Sequence, residues 1–183
     1  MWKFAVMAVA ALAVASAVEI SGDCDLVTST IATNFSWTAS EGAWYETYTY
    51  DTLGQRCIRH TMGTAADGNM TVITTFIQDG AYIIDTGIVT WDDPGSGVAK
   101  FTVNYGFQGP APYWVLGTDY TSYAVVWGCV QITPGRTEQL SGILSRDHMM
   151  SQEAMDGAQA VLDANPGLDQ SYYRPVDHMN CVV

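Results

Sequence analysis

Gly42-Ala43-Trp44-Tyr45-Glu46-Thr47-Tyr48-Thr49-Tyr50 alternates aromatic and polar residues, the period-two pattern of a half-buried β-strand. Outward from it the chain repeats that pattern between turn clusters. Cys57–Thr64 and Met70–Ile77 are split by Ala66-Asp67-Gly68-Asn69, and Ala81–Thr90 follows Gln78-Asp79-Gly80. Beyond Asp93-Pro94-Gly95-Ser96-Gly97 come Val98–Tyr105, Tyr113–Thr118, Tyr123–Ile132 and Glu138–Arg146. Short strands at this regular spacing predict a meander of about eight strands, hence an all-β antiparallel up-and-down barrel. The period then changes. Ser151 is an N-cap for one helix over Gln152–Ala164, with the apolar stripe Met155, Ala158, Val161 and Leu162, and Pro166-Gly167 stops it. This C-terminal helix is expected outside the barrel, and Tyr172–Pro175 can add a short strand.

A chain of 183 residues, 48% hydrophobic and 14% charged, reads as one globular domain. Met1–Ala17 carries Lys3, an apolar run from Phe4 to Val14 and the small-x-small ending Ala15-Ser16-Ala17. It reads as a secretory signal peptide, too short for a membrane span. Residues 18–183 are then the barrel domain of a secreted, extracellular protein. The net charge is −12. Without Lys3 the strong cations are Arg56, Arg59, Lys100, Arg136, Arg146 and Arg174. No basic patch exists to neutralise phosphates, which argues against nucleic acid and against anionic membrane surfaces. Cys24, Cys57, Cys129 and Cys181 form an even set read as two disulfides, and spacing alone leaves all three connectivities open. None has the close spacing of a zinc site. Asn34-Phe35-Ser36 and Asn69-Met70-Thr71 fit the N-glycosylation acceptor pattern at Asn34 and Asn69.

Gly42-Ala43-Trp44 resembles the G-x-W motif of lipocalins. Thr118-Asp119-Tyr120 resembles the family's T-D-Y turn, and Leu144-Ser145-Arg146 resembles its third motif, an arginine ending the last barrel strand. With a signal peptide, four cysteines and a late helix, the resemblance covers the whole mature chain. Leu116–Tyr120 with Tyr123-Ala124-Val125-Val126 is most similar to the apolipoprotein D, insecticyanin and bilin-binding branch. The resemblance implies Cys24–Cys129 and Cys57–Cys181 disulfides, and Arg146 lying across Trp44 at the closed end. The short first loop, Asp51–Arg56, and Asp25 after the first cysteine depart from that branch.

Alternate turns of a meander lie at the same end, which places Trp44, Thr118-Asp119-Tyr120 and Arg146 together at one end, and the resemblance implies that this end is the closed floor. The loops at 51–56, 78–80, 107–111 and 133–136 then form the mouth. With the implied disulfides outside, Cys57 and Cys129 point outward and Ile58, His60, Met62, Gly128 and Val130 inward. Trp44 inward places Tyr48 and Tyr50 on the inner face. Ile73, Thr75, Ile84, Phe101, Val103, Tyr105, Glu138 and Leu140 complete the expected lining, an apolar, aromatic small-molecule site that also fills part of the core.

The implied function is a non-enzymatic carrier of a small hydrophobic ligand, with no required cofactor, no metal and no membrane insertion, and with homo-oligomer formation left open. The resembled branch points to a bound biliverdin-like linear tetrapyrrole. Retinoids, carotenoids and colourless lipids are alternatives, and an isomerase or a haem protein using His60 is the rival class. Arg59 and Lys100 turn outward, so Arg56 and Arg136 are the expected rim partners for ligand acid groups.

Overall fold

The computed structural model describes residues 17–27, 31–50, 53–106 and 109–181. Apart from Ala17, the segment read as a signal peptide lies outside them. So do residues 51–52 and 107–108 of the expected mouth loops.

The strands are β1 (Ala17–Ser21), β2 (Gly42–Thr49), β3 (Arg56–Thr64), β4 (Met70–Gln78), β5 (Ala81–Trp91), β6 (Lys100–Asn104), β7 (Pro110–Thr118), β8 (Tyr123–Thr133), β9 (Arg136–Ser145) and β10 (Arg174–Pro175). From β2 to β9 each pairs antiparallel with the next, and β9 returns to β2. The result is a closed eight-stranded barrel. Near the mouth β2 and β9 part. There β1 pairs with the first half of β9, and β10 with Tyr48 and Thr49 at the end of β2.

Local chemistry explains the turns. Asp79 and Gly80 have φ of 53° and 79°, the two left-handed residues of a two-residue hairpin whose twist matches its strands. In the longer β3–β4 turn, Asp67 Oδ1 accepts from Asn69 N at 3.1 Å. After β9, the Ser151 hydroxyl caps helix α2 (Gln152–Asp163), accepting from Ala154 N. Ala154, Ala158 and Leu162 are its buried face. Close approach to the barrel depends on two glycines. A Cβ on Gly117 of β7 would lie 2.5 Å from a Val161 methyl, and one on Gly157 would lie 2.5 Å from the Tyr123 ring.

The floor is packed solid. The short helix α1 (Trp37–Ser40) and the segment before it cross the barrel end. Phe35 meets Phe101 and Trp91 edge-on at 5.4 and 6.0 Å. Trp44 is buried, its indole N–H donates to Ser40 O at 2.8 Å, and the Arg146 guanidinium lies 3.7 Å from its ring centroid. That guanidinium also donates to the carbonyls of Ala39, Glu41, Ala43 and Tyr120 at 2.9–3.3 Å, joining α1, β2 and the β7–β8 turn. Asp119 shapes that turn by accepting from the backbone N–H groups of Thr121, Ser122 and Tyr123 and from the Ser122 hydroxyl. Desolvation pushes its carboxyl up, but these four bonds outweigh it and hold the pKa down at about 2. Both disulfides form as the resemblance implies, Cys24–Cys129 and Cys57–Cys181, stapling the two terminal segments to the outside of β8 and β3.

Strand parity is where the sequence reading needs correction. Tyr48 and Tyr50 do not face the interior. β2 shifts register between Glu46 and Tyr48, and this bulge turns Thr49 inward and the two tyrosines out. Tyr50 meets Tyr173 edge-on, ring centroids 4.9 Å apart. Ile73, Thr75 and Ile84 also face away from the interior. His60 opposes Thr74 and Met62 opposes Val72, and directly opposed residues share a face. In β4 the even positions therefore point in. The two-residue hairpin reverses parity, putting Asp85 inside and leaving Ile84 61% exposed. Among the described residues no helix is long and apolar enough to cross a membrane.

Arg146→Ala removes the stacked cation and leaves partly buried carbonyls without this donor. The variant should lose about 2–4 kcal/mol and melt about 5–15 °C lower. Arg146→Lys, with no planar fork, should recover only part. An unchanged melting temperature for Arg146→Ala would remove the guanidinium from its place as the floor's clasp.

Candidate functional site

Above the floor the barrel encloses a cavity of about 420 Å³, within the usual range for small-molecule sites. Ile58, His60, Val103, Tyr105, Val130, Glu138 and Leu140 line it, each on the face expected from sequence. Met62 and Phe101 also point inward but sit in the packed floor, Met62 bordering a separate void of about 10 Å³ with Trp44. Tyr48, Tyr50, Ile73, Thr75 and Ile84 are outside it, for the reasons of register given above.

Arg56 and Arg136 do not line the cavity and are engaged elsewhere. Arg56 donates to Met179 O at 3.2 Å, where the second disulfide has drawn the C-terminal segment against β3. Arg136 is ion-paired with Glu19 of β1. Each terminal segment supplies a partner to one of the two expected rim cations. Asn34 and Asn69 are both exposed, Asn34 beside Gly97 at the floor and Asn69 in the β3–β4 turn.

The reading from sequence passed over Glu46, Thr49, Thr74, Phe76, Asp85, Ala111, Tyr113 and Val126, which also line the cavity. Glu46 was available from the parity of Trp44, two residues earlier on the same strand. Thr74 and Phe76 follow from an even-sum register across the 65–69 turn, and Asp85 from the two-residue hairpin. Thr49 carries no sequence signal, because the bulge that turns it inward arises where β2 meets β9.

Four polar side chains, from β2, β3, β4 and the residue just past β6, form a chain across the wall. Glu46 Oε2 lies 2.9 Å from His60 Nε2, His60 Nδ1 lies 3.0 Å from Thr74 Oγ1, and Thr74 Oγ1 lies 3.1 Å from the Tyr105 hydroxyl. Thr74 thus sits between the imidazole and the phenol, within hydrogen-bond distance of both. Burial pushes Tyr105 up to about 12; the Thr74 bond opposes this, while the charges of Glu46 and Asp85 add to it. Burial also drives Tyr113, which faces inward opposite Phe101, well above the ordinary phenol value. Its hydroxyl is buried with no hydrogen-bond partner among the described residues. Glu46, Asp85 and Glu138 put three carboxylates on the wall, and no described lining residue is Lys or Arg.

The lipocalin / cytosolic fatty-acid binding protein family matches residues 41–179. Apolipoprotein D of Macaca fascicularis is 28% identical over 154 residues, 81% of this chain and 79% of that protein. The Lazarillo protein of Schistocerca americana is 26% identical over 167 residues, 86% of this chain and 75% of its own length. Among solved structures, insecticyanin from the tobacco hornworm Manduca sexta superposes with a TM-score of 0.77 at 19% identity, covering 90% of each chain. H1 crustacyanin from the lobster Homarus americanus gives 0.71 at 20% identity, covering 88% of this chain and 91% of that one.

The buried phenols predict a particular alkaline behaviour. Their native pKa values are raised above the unfolded value of about 10, so the stability they contribute is complete below pH 10 and is lost as pH rises through their native values. At pH 11 the native protein should show markedly less phenolate absorbance than the urea-unfolded chain. Tyr105→Phe/Tyr113→Phe should flatten the decline in urea midpoint above pH 10. Equal phenolate absorbance in the native and unfolded protein at pH 11 would contradict this burial.

Proposed function

The chain belongs to the lipocalin / cytosolic fatty-acid binding protein family, and from that membership we propose that this barrel carries, without chemical conversion, a linear tetrapyrrole of the biliverdin type. The general role, carriage of a small hydrophobic ligand, is the family's. The observation that carries the narrower reading is a cavity with a sealed floor, an apolar and aromatic wall, and acceptor oxygens at mid-depth. A bilin matches it with a flat apolar body and a row of pyrrole N–H groups. Its two propionates belong in the water at the mouth, because Arg56 and Arg136 are already engaged and an exposed pair would add only about 0–1 kcal/mol. The similarity to the insecticyanin and bilin-binding branch supports the same choice.

Two features speak for carriage over the rival readings. Every cysteine is in a disulfide, so no thiol stands ready as a nucleophile. Both ring nitrogens of His60 are within hydrogen-bond distance of side-chain oxygens, which leaves neither free for haem iron. Export is part of the proposal. Met1–Ala17 serves as signal peptide, and cleavage after Ala17 leaves Val18–Ser21 to keep β1 paired with β9. The two disulfides suit an oxidising compartment.

The natively purified protein should show absorption bands in the red, and the apoprotein should regain them with added biliverdin. One strong near-ultraviolet to violet band would point to haem. No visible band, with no biliverdin uptake but saturable binding of a lipophilic fluorophore, would replace the bilin by a colourless lipid.

A further inference from the structure

We propose that Glu46, Asp85, Tyr105 and Tyr113 form the polar recognition subsite of the cavity, and that it takes a nitrogen N–H donor, an amine or a pyrrole, while keeping carboxylates out. This rests on the carrier reading and sharpens it to a rule about head groups.

Charge is the first ground. Three carboxylates line the cavity, and among its described lining residues His60 alone can carry a positive charge. Both His60 nitrogens already face protein oxygens. A ligand carboxylate entering here would lose its water and meet like charges with no guanidinium or ammonium to pair with, both unfavourable in a low-dielectric interior. An ammonium or a pyrrole N–H meets acceptors instead.

Open hydrogen-bonding capacity is the second. The Tyr113 hydroxyl is fully buried inside the barrel and unpartnered among the described residues. A buried polar atom without a partner is unfavourable, and a ligand at mid-depth can supply one. Glu46 gives Oε2 to His60, while Oε1 makes no hydrogen bond among the described residues. Oε1 occupies room that a glycine keeps open, since a Cβ on Gly142 would come within 2.7 Å of it. On the opposite wall a Cβ on Gly87 would come within 2.9 Å of the Tyr105 ring. Small residues thus accommodate the polar groups on two sides of the cavity.

The test holds the apolar part constant and changes the head group. Dodecylamine, dodecanol and dodecanoate compete for diphenylhexatriene, a neutral probe with no polar atom, on the disulfide-intact protein. Saturable binding of diphenylhexatriene itself reads the carrier function; the order of the competitors reads the subsite. The expected order is amine, then alcohol, then carboxylate, with amine ahead of dodecanoate by about tenfold or more. Glu46→Gln/Asp85→Asn should shrink that gap. Asp93→Asn/Glu153→Gln, which removes two exposed acids far from the cavity, should leave it, separating the subsite from general attraction to an acidic surface. Asp85→Asn alone, which removes one carboxylate and keeps the side chain's shape, should shrink the gap in the same direction, and it stands in should the double acid variant fail to fold. Dodecanoate matching the amine, or a gap that shrinks equally with the exposed acids, overturns the proposal while leaving the carrier intact. Failure of diphenylhexatriene and all three competitors to bind overturns the carrier reading and the subsite with it.

Discussion

Everything in this molecule depends on the hydrogen bonds between β2 and β9, in which Tyr45 opposes Ser145 and Thr49 opposes Gly142. They turn a ribbon of strands into a closed wall, removing the two free edges that an open meander would expose. Closure also divides the side chains of the strands into an inside and an outside set. A single irregularity then has large consequences. The bulge between Glu46 and Tyr48 sends Thr49 into the cavity and Tyr48 and Tyr50 out of it.

The two ends of the wall are treated differently. At the floor, Arg146 binds four backbone carbonyls and the Trp44 ring at once, so the aromatic plug of Phe35, Trp91 and Phe101 has a rigid base. Toward the mouth, β2 and β9 separate and take β10 and β1 as new partners. The disulfides hold those terminal segments in place, at roughly 2–4 kcal/mol each, and do so from outside, so the interior stays free for a ligand.

Five of the six strong cations beyond Lys3 are engaged by this architecture. Arg146 closes the floor, Arg136 pairs with Glu19, Arg56 holds the C-terminal segment, Arg174 donates to the carbonyls of Ser171 and Tyr173, and Lys100 sits 4.2 Å over Trp114. The cavity is left with carboxylates, phenols and one imidazole. Its chemistry is the complement of what the scaffold needed, which is why the acidic character of the chain matters for ligand choice as well as for solubility.

The residues alone determined the strand count, the turn positions, the late helix with its Ser151 cap, and, through the resemblance, the Trp44–Arg146 floor and the disulfide pairing. These features are local or are carried by motifs, so they can be read in one dimension. They placed Ile58, His60, Val103, Tyr105, Val130, Glu138 and Leu140 on the cavity wall, because alternation carried the count correctly along those strands, even past the irregularity between Arg56 and Arg59. What tertiary structure decided was register. Whether Ile73 or Thr74 faces inward depends on which residue it opposes across the 65–69 turn, and whether Tyr48 or Thr49 does so depends on a bulge made where the first barrel strand meets the last. The engagement of Arg56 and Arg136 was likewise invisible, since their partners, Met179 O and Glu19, lie 123 and 117 residues away. Strand parity has a period of two, so a one-residue shift set by distant pairing reverses every assignment after it.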